Sequence, residues 1–473
     1  MMPTITTVSP IDSKPIITRE GVTIEDLDNR VLPKAASAQR EWQKNTTLAD
    51  RKKIVEKFVE LMTQEETMKN LAKEITEQMG RPSAYTPVEI KTAALRANTM
   101  VGYADEALAR VRVDEQAKGF NKYLSSEPLG VVLIIFPWNY PYLCLMNGLI
   151  PALLAGNSVL IKPSPQTPKV ADSVVDLFHK AGLPQGVLQA VHCGEPEVLE
   201  QLVTRKTVAG VSFTGSVAGG LAVQKAAVGR TIPIALELGG NDAGYVRSDV
   251  ADLKATAEDV VDGAIFNTGQ SCCSIERVYV DAKVYDEFVK HVEQVVKAYK
   301  VGDPFSPETQ IGPLISEKAA KSVRAQIDQA VAQGAKKLIP DGHFATAEKL
   351  NPTFVGPQVL VDVNEQSDVV RQETFGPVIP IIKVSSDEEA VEKINDSDFG
   401  LTAAVWTSDL ARGEELGNQI DAGTVFVNRA DYPDPHLAWT GYKNSGRGVS
   451  LSKFGFEFYT KLKSHHIKDL TKA

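Results

Sequence analysis

Apolar residues recur along this chain with two different periods. Between residues 24 and 80, Leu27, Val31, Ala35, Ala38 and Trp42 repeat at intervals of three or four, and Ile54, Phe58, Leu61 and Met62 continue in a second run. That spacing predicts helices. Residues 85–108, after Pro82, read as a further helix, and the Thr-, Pro- and Ser-rich stretch before Ile24 predicts an extended arm. At Gly130 the pattern changes. Residues 130–136 form a short, β-branched apolar run suited to a strand buried on both faces. Strands at 159–161, 187–191 and 208–213 then alternate with helices at 168–181, 196–203 and 217–227. This alternation predicts an α/β doubly wound parallel sheet that binds its ligand at the carboxyl ends of the strands. From Glu237 a second unit begins, with strands at 242–246 and 277–280 and helices at 250–265 and 284–299. Further strands at 358–361, 378–383, 403–406 and 424–428 carry it to about residue 440.

At 473 residues the chain exceeds one ordinary core, so two or three domains are expected. With 43% apolar and 23% charged residues the composition is that of a globular protein. The net charge of −9 comes from interspersed rather than blocked residues, which argues against a nucleic-acid footprint. An anionic ligand must therefore be met by local groups. Four cysteines, Cys144, Cys193, Cys272 and Cys273, make no disulfide framework and point to a reducing compartment. They have neither the spacing nor the His partners of a metal site, so no metal is expected. Residues 1–21 lack the apolar core of a signal peptide, and no apolar run approaches the roughly 20 residues that span a bilayer. The expectation is a cytoplasmic protein without a membrane partner.

The chemistry gathers at Phe266-Asn267-Thr268-Gly269-Gln270-Ser271-Cys272-Cys273, which sets a thiol on a Gly-containing loop between a helix-like segment and a strand-like one. Cysteine suits attack on a carbonyl near neutral pH, because a modest fall in its pKa makes the thiolate abundant. Upstream, Asn139 in Pro137-Trp138-Asn139-Tyr140-Pro141 offers an amide to a developing oxyanion. Glu237 in Glu237-Leu238-Gly239-Gly240 offers a base. Lys162 and Ser164 follow a strand, where the ribose of a dinucleotide lies. Gly215 and Ser216 open a helix whose free N–H groups suit a pyrophosphate. The run Glu373-Thr374-Phe375-Gly376-Pro377 completes the set.

Over residues 21–466 these motifs, in this order, resemble the aldehyde dehydrogenase superfamily. The resemblance implies an NAD- or NADP-dependent oxidation of an aldehyde to the acid through a Cys272 thiohemiacetal and thioester. Cys272 is selected over Cys273 because Arg277 follows it by the family's five-residue spacing. Asn139 and the Cys272 main-chain N–H would stabilise the oxyanion. Glu237 would activate the hydrolytic water, and relatives that acylate coenzyme A typically lack this Glu. Glu373 would bind the nicotinamide ribose, while Phe375 and Trp138 are counted with the cofactor residues as packing. The resemblance also implies a dinucleotide-binding domain from residues 1–113 and 130–236 and a catalytic domain at 237–440. Segments 114–129 and 441–473, with a strand at 455–467, would form an oligomerisation sheet of a homodimer or homotetramer.

Two positions depart from the family pattern. Pro165 stands where NAD-preferring relatives often carry Glu, which removes a carboxylate that would repel a 2′-phosphate. Gly148 stands where many relatives carry a Lys proposed as a proton relay. By position, Tyr140, Asn147, Phe266, Ser271 and Trp439 line the substrate pocket, and their aromatic walls favour an apolar or aromatic aldehyde. The alternative is a semialdehyde such as succinic semialdehyde, with Arg429 or His436 supplying a positive charge; a coenzyme A-acylating relative is the third reading.

Overall fold

The computed structural model describes residues 4–113 and 119–471. One sheet has six strands in the order Gly446–Arg447, Ile234–Glu237, Val208–Thr214, Val131–Ile135, Ser158–Lys162, Leu188–Ala190. The last five pair in parallel. Every residue of Val131–Ile135 is buried, which is why the sequence there is apolar without interruption. This strand comes first in the chain yet has neighbours on both sides, so the winding reverses beside it and opens a crevice at the carboxyl ends. Trp138 and Asn139 leave from that point, as do Gly215 and Ser216 from the adjacent Val208–Thr214.

The second sheet runs Lys336–Lys337, Gln358–Val361, Val378–Val384, Ile275–Asp281, Asp242–Val246, Thr402–Trp406, Thr424–Val427, parallel except at the Lys336–Lys337 edge. Here the functional loops precede their strands. Gly239 and Gly240 lead into Asp242–Val246, Cys272 into Ile275–Asp281, and Phe375 into Val378–Val384. The cause is the short link from Glu237 to Asp242, which carries the chain from the carboxyl edge of one sheet straight into the amino edge of the other. A cleft between unlike edges results, where a carboxyl-end site would be the general expectation for such sheets.

The N-terminal arm is an antiparallel hairpin, Thr4–Val8 with Pro15–Glu20, tied to the first sheet's half of the molecule where Thr7 Oγ1 donates to Pro165 O at 2.7 Å. The helix Pro141–Ala155 is an element the periodicity does not signal. It is buried on nearly every side, so no polar stripe marks its turns. Pro141 stands in its first turn and Gly156 closes it at φ 97°. A third sheet pairs Thr460–Lys468 with Phe120–Pro128 and the latter with Val111–Arg112. The expected strand at 455–467 thus begins later, because Lys453–Tyr459 is 3₁₀-helical. Residues 114–118 of the expected 114–129 segment lie outside the described residues. No helix among the described residues is long and apolar enough to cross a membrane.

Candidate active site

The helix Leu253–Ile265 runs into the turn Phe266–Gly269, where Asn267, Thr268 and Gly269 take φ values of 55, 62 and 69°. Successive left-handed residues are costly outside glycine and persist only where their surroundings hold them. Asn267 Oδ1 accepts from Arg81 Nε at 2.9 Å, and Asn267 Nδ2 donates to Gln270 O at 3.1 Å. Thr268 Oγ1 donates to Gly312 O at 3.3 Å. A Cβ on Gly269 would stand 2.3 Å from the Gly376 carbonyl oxygen, so only glycine fits there. The turn aims Cys272 into a cavity of about 290 Å³.

Tyr140, Asn147, Phe266, Ser271 and Trp439 line this cavity together with Cys272 and Glu237. Arg429 does not. It is exposed and stacks over the Tyr432 ring at 3.6 Å, so the expectation that it lines the pocket is corrected. His436 is also exposed, held by Asp434 at 3.0 Å. Cys272 is partly exposed, whereas Cys273 is buried with its thiol donating to Asp431 Oδ1 at 2.8 Å. Contact with the Cys272 thiol, then burial and Asp431, hold the Cys273 thiol well above its ordinary range. Ser271 Oγ donates to the same Asp431 oxygen at 2.9 Å, and burial pushes Asp431 up to about 6.

Asn139 lies behind the cavity wall, buried, with Nδ2 donating to Gln270 O at 3.2 Å. Its own main-chain carbonyl accepts from Arg81, whose guanidinium also pairs with Glu89 and covers the Tyr140 ring at 4.1 Å. Glu89 in turn accepts from Tyr142 N at 2.9 Å. Glu237 is enclosed at the cavity, and burial raises its carboxyl pKa against the opposing pull of the Ser450 hydroxyl, Arg96 and the Thr214 hydroxyl. A Cβ at Gly148 would meet the Tyr459 hydroxyl at 2.4 Å, so Tyr459 fills the space that a longer side chain at 148 would need.

Glu373 Oε1 accepts from Gly240 N at 3.0 Å, and burial pushes Glu373 up to about 7. Phe375 meets Trp138 edge-on at 5.7 Å. The buried Glu276 accepts from Thr374 N at 2.7 Å and Phe375 N at 2.8 Å, fixing a loop in which Phe375 has φ 50°. On the other side of the cleft Ser216 caps the helix Val217–Ala226 through Gly219 N at 3.2 Å, and Gly215 N donates to Glu237 O at 3.0 Å. Lys162 ends its strand half-buried, with no side-chain partner among the described residues, and burial lowers its pKa. Ser164 Oγ accepts from Gln166 N at 3.2 Å. An unpaired lysine, a helix N-terminus and a carboxylate on a glycine turn suit, in that order, the ribose and phosphates, the pyrophosphate and the second ribose of a dinucleotide. Arg81, Glu89, Arg96, Asp431 and Glu276 are site residues that the motifs did not include. Only Glu89 and Arg96 carried a signal, as charges seven residues apart and so on one face of the helix Thr86–Ala107; Arg81, Asp431 and Glu276 carried none.

The whole arrangement has known counterparts, since the model of the "Aldehyde dehydrogenase family" matches residues 2–465. The chain belongs to the aldehyde dehydrogenase family. The vanillin dehydrogenase of Corynebacterium glutamicum is 33% identical over 96% of this dehydrogenase and 92% of its own length. The NADP⁺ succinate-semialdehyde dehydrogenase of Deinococcus radiodurans is 34% identical over 92% of this chain and 88% of its own. The structure of PnpE in complex with nicotinamide adenine dinucleotide superposes with a TM-score of 0.92 at 30% identity, covering 99% of this chain and 95% of that one. The protein is an NAD(P)-dependent aldehyde dehydrogenase that oxidises aldehydes to acids. Among its described residues no group of three or more His, Cys, Asp or Glu side chains is set to hold a metal ion.

Proposed function

We propose that the dehydrogenase oxidises an apolar or aromatic aldehyde through Cys272, with Glu237 as base and Asn139 as oxyanion donor. The observation that carries this reading is that the Cys272 thiol and the Glu237 carboxylate open on one cavity walled by Tyr140, Phe266 and Trp439. The Cys272 thiolate attacks the aldehyde carbon, and the Asn139 amide with the Cys272 main-chain N–H holds the oxygen that becomes negative. The nicotinamide, when bound, supplies the hydride acceptor. Glu237 then takes a proton from the water that cleaves the Cys272 thioester.

The same reading divides the work between the two halves, although Gly446–Arg447, expected in the oligomerisation segment, joins the six-stranded sheet beside Ile234–Glu237. The half built on the six-stranded sheet holds the dinucleotide through Lys162, Ser164, Gly215 and Ser216, and the half built on the seven-stranded sheet contributes Cys272, Glu373 and Phe375. The small third sheet, whose outer strand Thr460–Lys468 exposes Leu462 and Ile467, serves subunit pairing in a homodimer or homotetramer. Initial rates of nicotinamide reduction with an aromatic aldehyde, without coenzyme A, test the reading. Turnover in the wild type and none in Cys272→Ala supports it; Cys272→Ala with near-normal turnover removes it.

A further inference from the structure

Two guanidinium groups line the cavity, and they differ in their partners. Arg81 has its charge met by Glu89 at Nη1, and its Nε and Nη2 donate to Asn267 and Asn139. Arg96 lies two helical turns beyond Glu89 on the same face of Thr86–Ala107 and is only 4% exposed. Its Nη1 donates to Asn147 Oδ1 at 3.0 Å, its Nε has no partner, and it forms no ion pair among the described residues. Burial lowers its pKa, but an arginine side chain stays protonated. A buried cation without a counter-ion is costly to folding, and a guanidinium with most of its five donors unspent is incomplete.

The carboxylates of the cavity do not complete it. Glu89 belongs to Arg81, and Asp431 holds Ser271 and Cys273. Asp262 acts on Tyr85 and Tyr299, beyond the other end of that helix face. Glu237 acts on Arg96 only from beyond pairing distance. The missing partner must therefore come from what enters the cavity.

We propose that Arg96 anchors a carboxylate carried by the aldehyde substrate away from its reacting carbonyl. The proposal rests on the reading that this cavity holds the aldehyde. A planar guanidinium pairs with a carboxylate through two parallel hydrogen bonds, and Asn147 fixes the plane of the fork by holding Nη1. The walls remain apolar and aromatic, so the substrate is an aldehyde with an apolar body and an acidic end.

The test compares matched pairs: 4-carboxybenzaldehyde against 4-methylbenzaldehyde, and succinic semialdehyde against butanal, in the wild type, Arg96→Met and Arg96→Lys. In the wild type kcat/KM favours the charged member of at least one pair on the order of tenfold or more, through KM; which pair it is distinguishes an aromatic from an aliphatic acid. Arg96→Met lowers the charged-to-neutral ratio on the order of 10- to 100-fold, the range of hydrogen bonds to charged groups, and Arg96→Lys keeps part of it. A wild-type ratio near one in both pairs overturns the proposal without any variant. An equal loss on both members in Arg96→Met also overturns it, and assigns Arg96 to the support of Cys272 and Glu237 instead. Cys272→Ala separates the two readings: if it still turns over, the cavity reading falls, and if it is inactive while the ratio is unmoved by Arg96→Met, only the role of Arg96 falls.

Discussion

Arg81 donates to the main-chain carbonyl of Asn139, so the proposed oxyanion donor is positioned by a guanidinium that also pairs with Glu89. The same guanidinium holds Asn267 in the turn that carries Cys272. One side chain therefore holds both the loop with Asn139 and the turn that leads to Cys272. In Arg81→Met the buried Glu89 loses its counter-ion, which destabilises the fold by about 3–5 kcal/mol. The single-turnover rate of hydride transfer falls roughly tenfold or more, because misplacement of a donor by a fraction of an ångström is expensive. Arg81→Met combined with Glu89→Gln regains stability in denaturant titration and not the rate. A wild-type single-turnover rate in Arg81→Met would falsify the positioning role.

Burial holds the Glu237 carboxyl above its ordinary range, so the base form appears only as pH rises through that raised value. Below it Glu237 carries the proton and, in its proposed role as base, leaves the thioester uncleaved. Steady-state turnover of the wild type accordingly gains an acid limb that lies higher than an ordinary glutamate would give. Glu237→Gln gives a rapid burst of about one equivalent of reduced nicotinamide, followed by turnover slowed on the order of 10²- to 10⁴-fold. An unchanged acid limb in Glu237→Gln would show that another group titrates there.

Glu276 takes two main-chain N–H groups of the loop between Glu373 and Phe375. An amide in its place accepts one of them and turns its own NH₂ against the other. Glu276→Gln should raise the KM for the nicotinamide cofactor about tenfold, in line with the cost of one unsatisfied buried donor, and leave the KM for aldehyde nearly unmoved. Cofactor titration followed by protein fluorescence reads this directly. Equal affinity in both proteins would mean that the loop holds its shape without Glu276.

What the sequence disclosed and what it withheld divide along physical lines. Val131–Ile135 was legible because burial on both faces leaves an unbroken apolar run, and Cys272 because its motif is local. The helix Pro141–Ala155 was not, since burial on nearly every side erases the 3.6-residue period. Arg81 and Arg96 escaped for the opposite reason. A charged residue on a helix, like Arg96, or in the turn after one, like Arg81, reads as solvated, and only the fold shows that the pairing of Arg81 with Asn139 spans 58 residues or that Arg96 is enclosed. Arg429 was offered as a positive charge for a semialdehyde from its place in a loop, and a loop's path carries no period to check it against.

Asp431 makes the fold's stability depend on pH with a definite sign. Its folded-state value of about 6 lies above the roughly 3.9 of an unfolded chain. Below about pH 4 both states keep the proton and the full contribution of this group is present. Between about 4 and 6 the unfolded chain releases its proton first and stability is lost, up to about 3 kcal/mol, and above that range the loss is constant. Asp431→Asn has no such titration, so its stability relative to the wild type rises from pH 4 to pH 7. Denaturant midpoints at those two values check it, and parallel profiles would remove Asp431 as the cause.

Among the described residues Lys162 has no side-chain partner at the end of its strand, and Pro165 three residues on brings no carboxylate to it. The absence of a negative charge matters more than the presence of the lysine, because lysine can meet either a ribose hydroxyl or a 2′-phosphate. A carboxylate close to that phosphate would repel it while accepting from the ribose hydroxyls of NAD⁺. Pro165→Glu should therefore lower kcat/KM for NADP⁺ on the order of tenfold or more, and raise or spare that for NAD⁺, with the effect shrinking as salt screens the new charge. Thr7, which donates to the Pro165 carbonyl, keeps the backbone in place, so the comparison tests charge rather than a refolded loop. If both cofactors lose equally, the 165 side chain does not face the ribose, and cofactor choice lies elsewhere in the cleft.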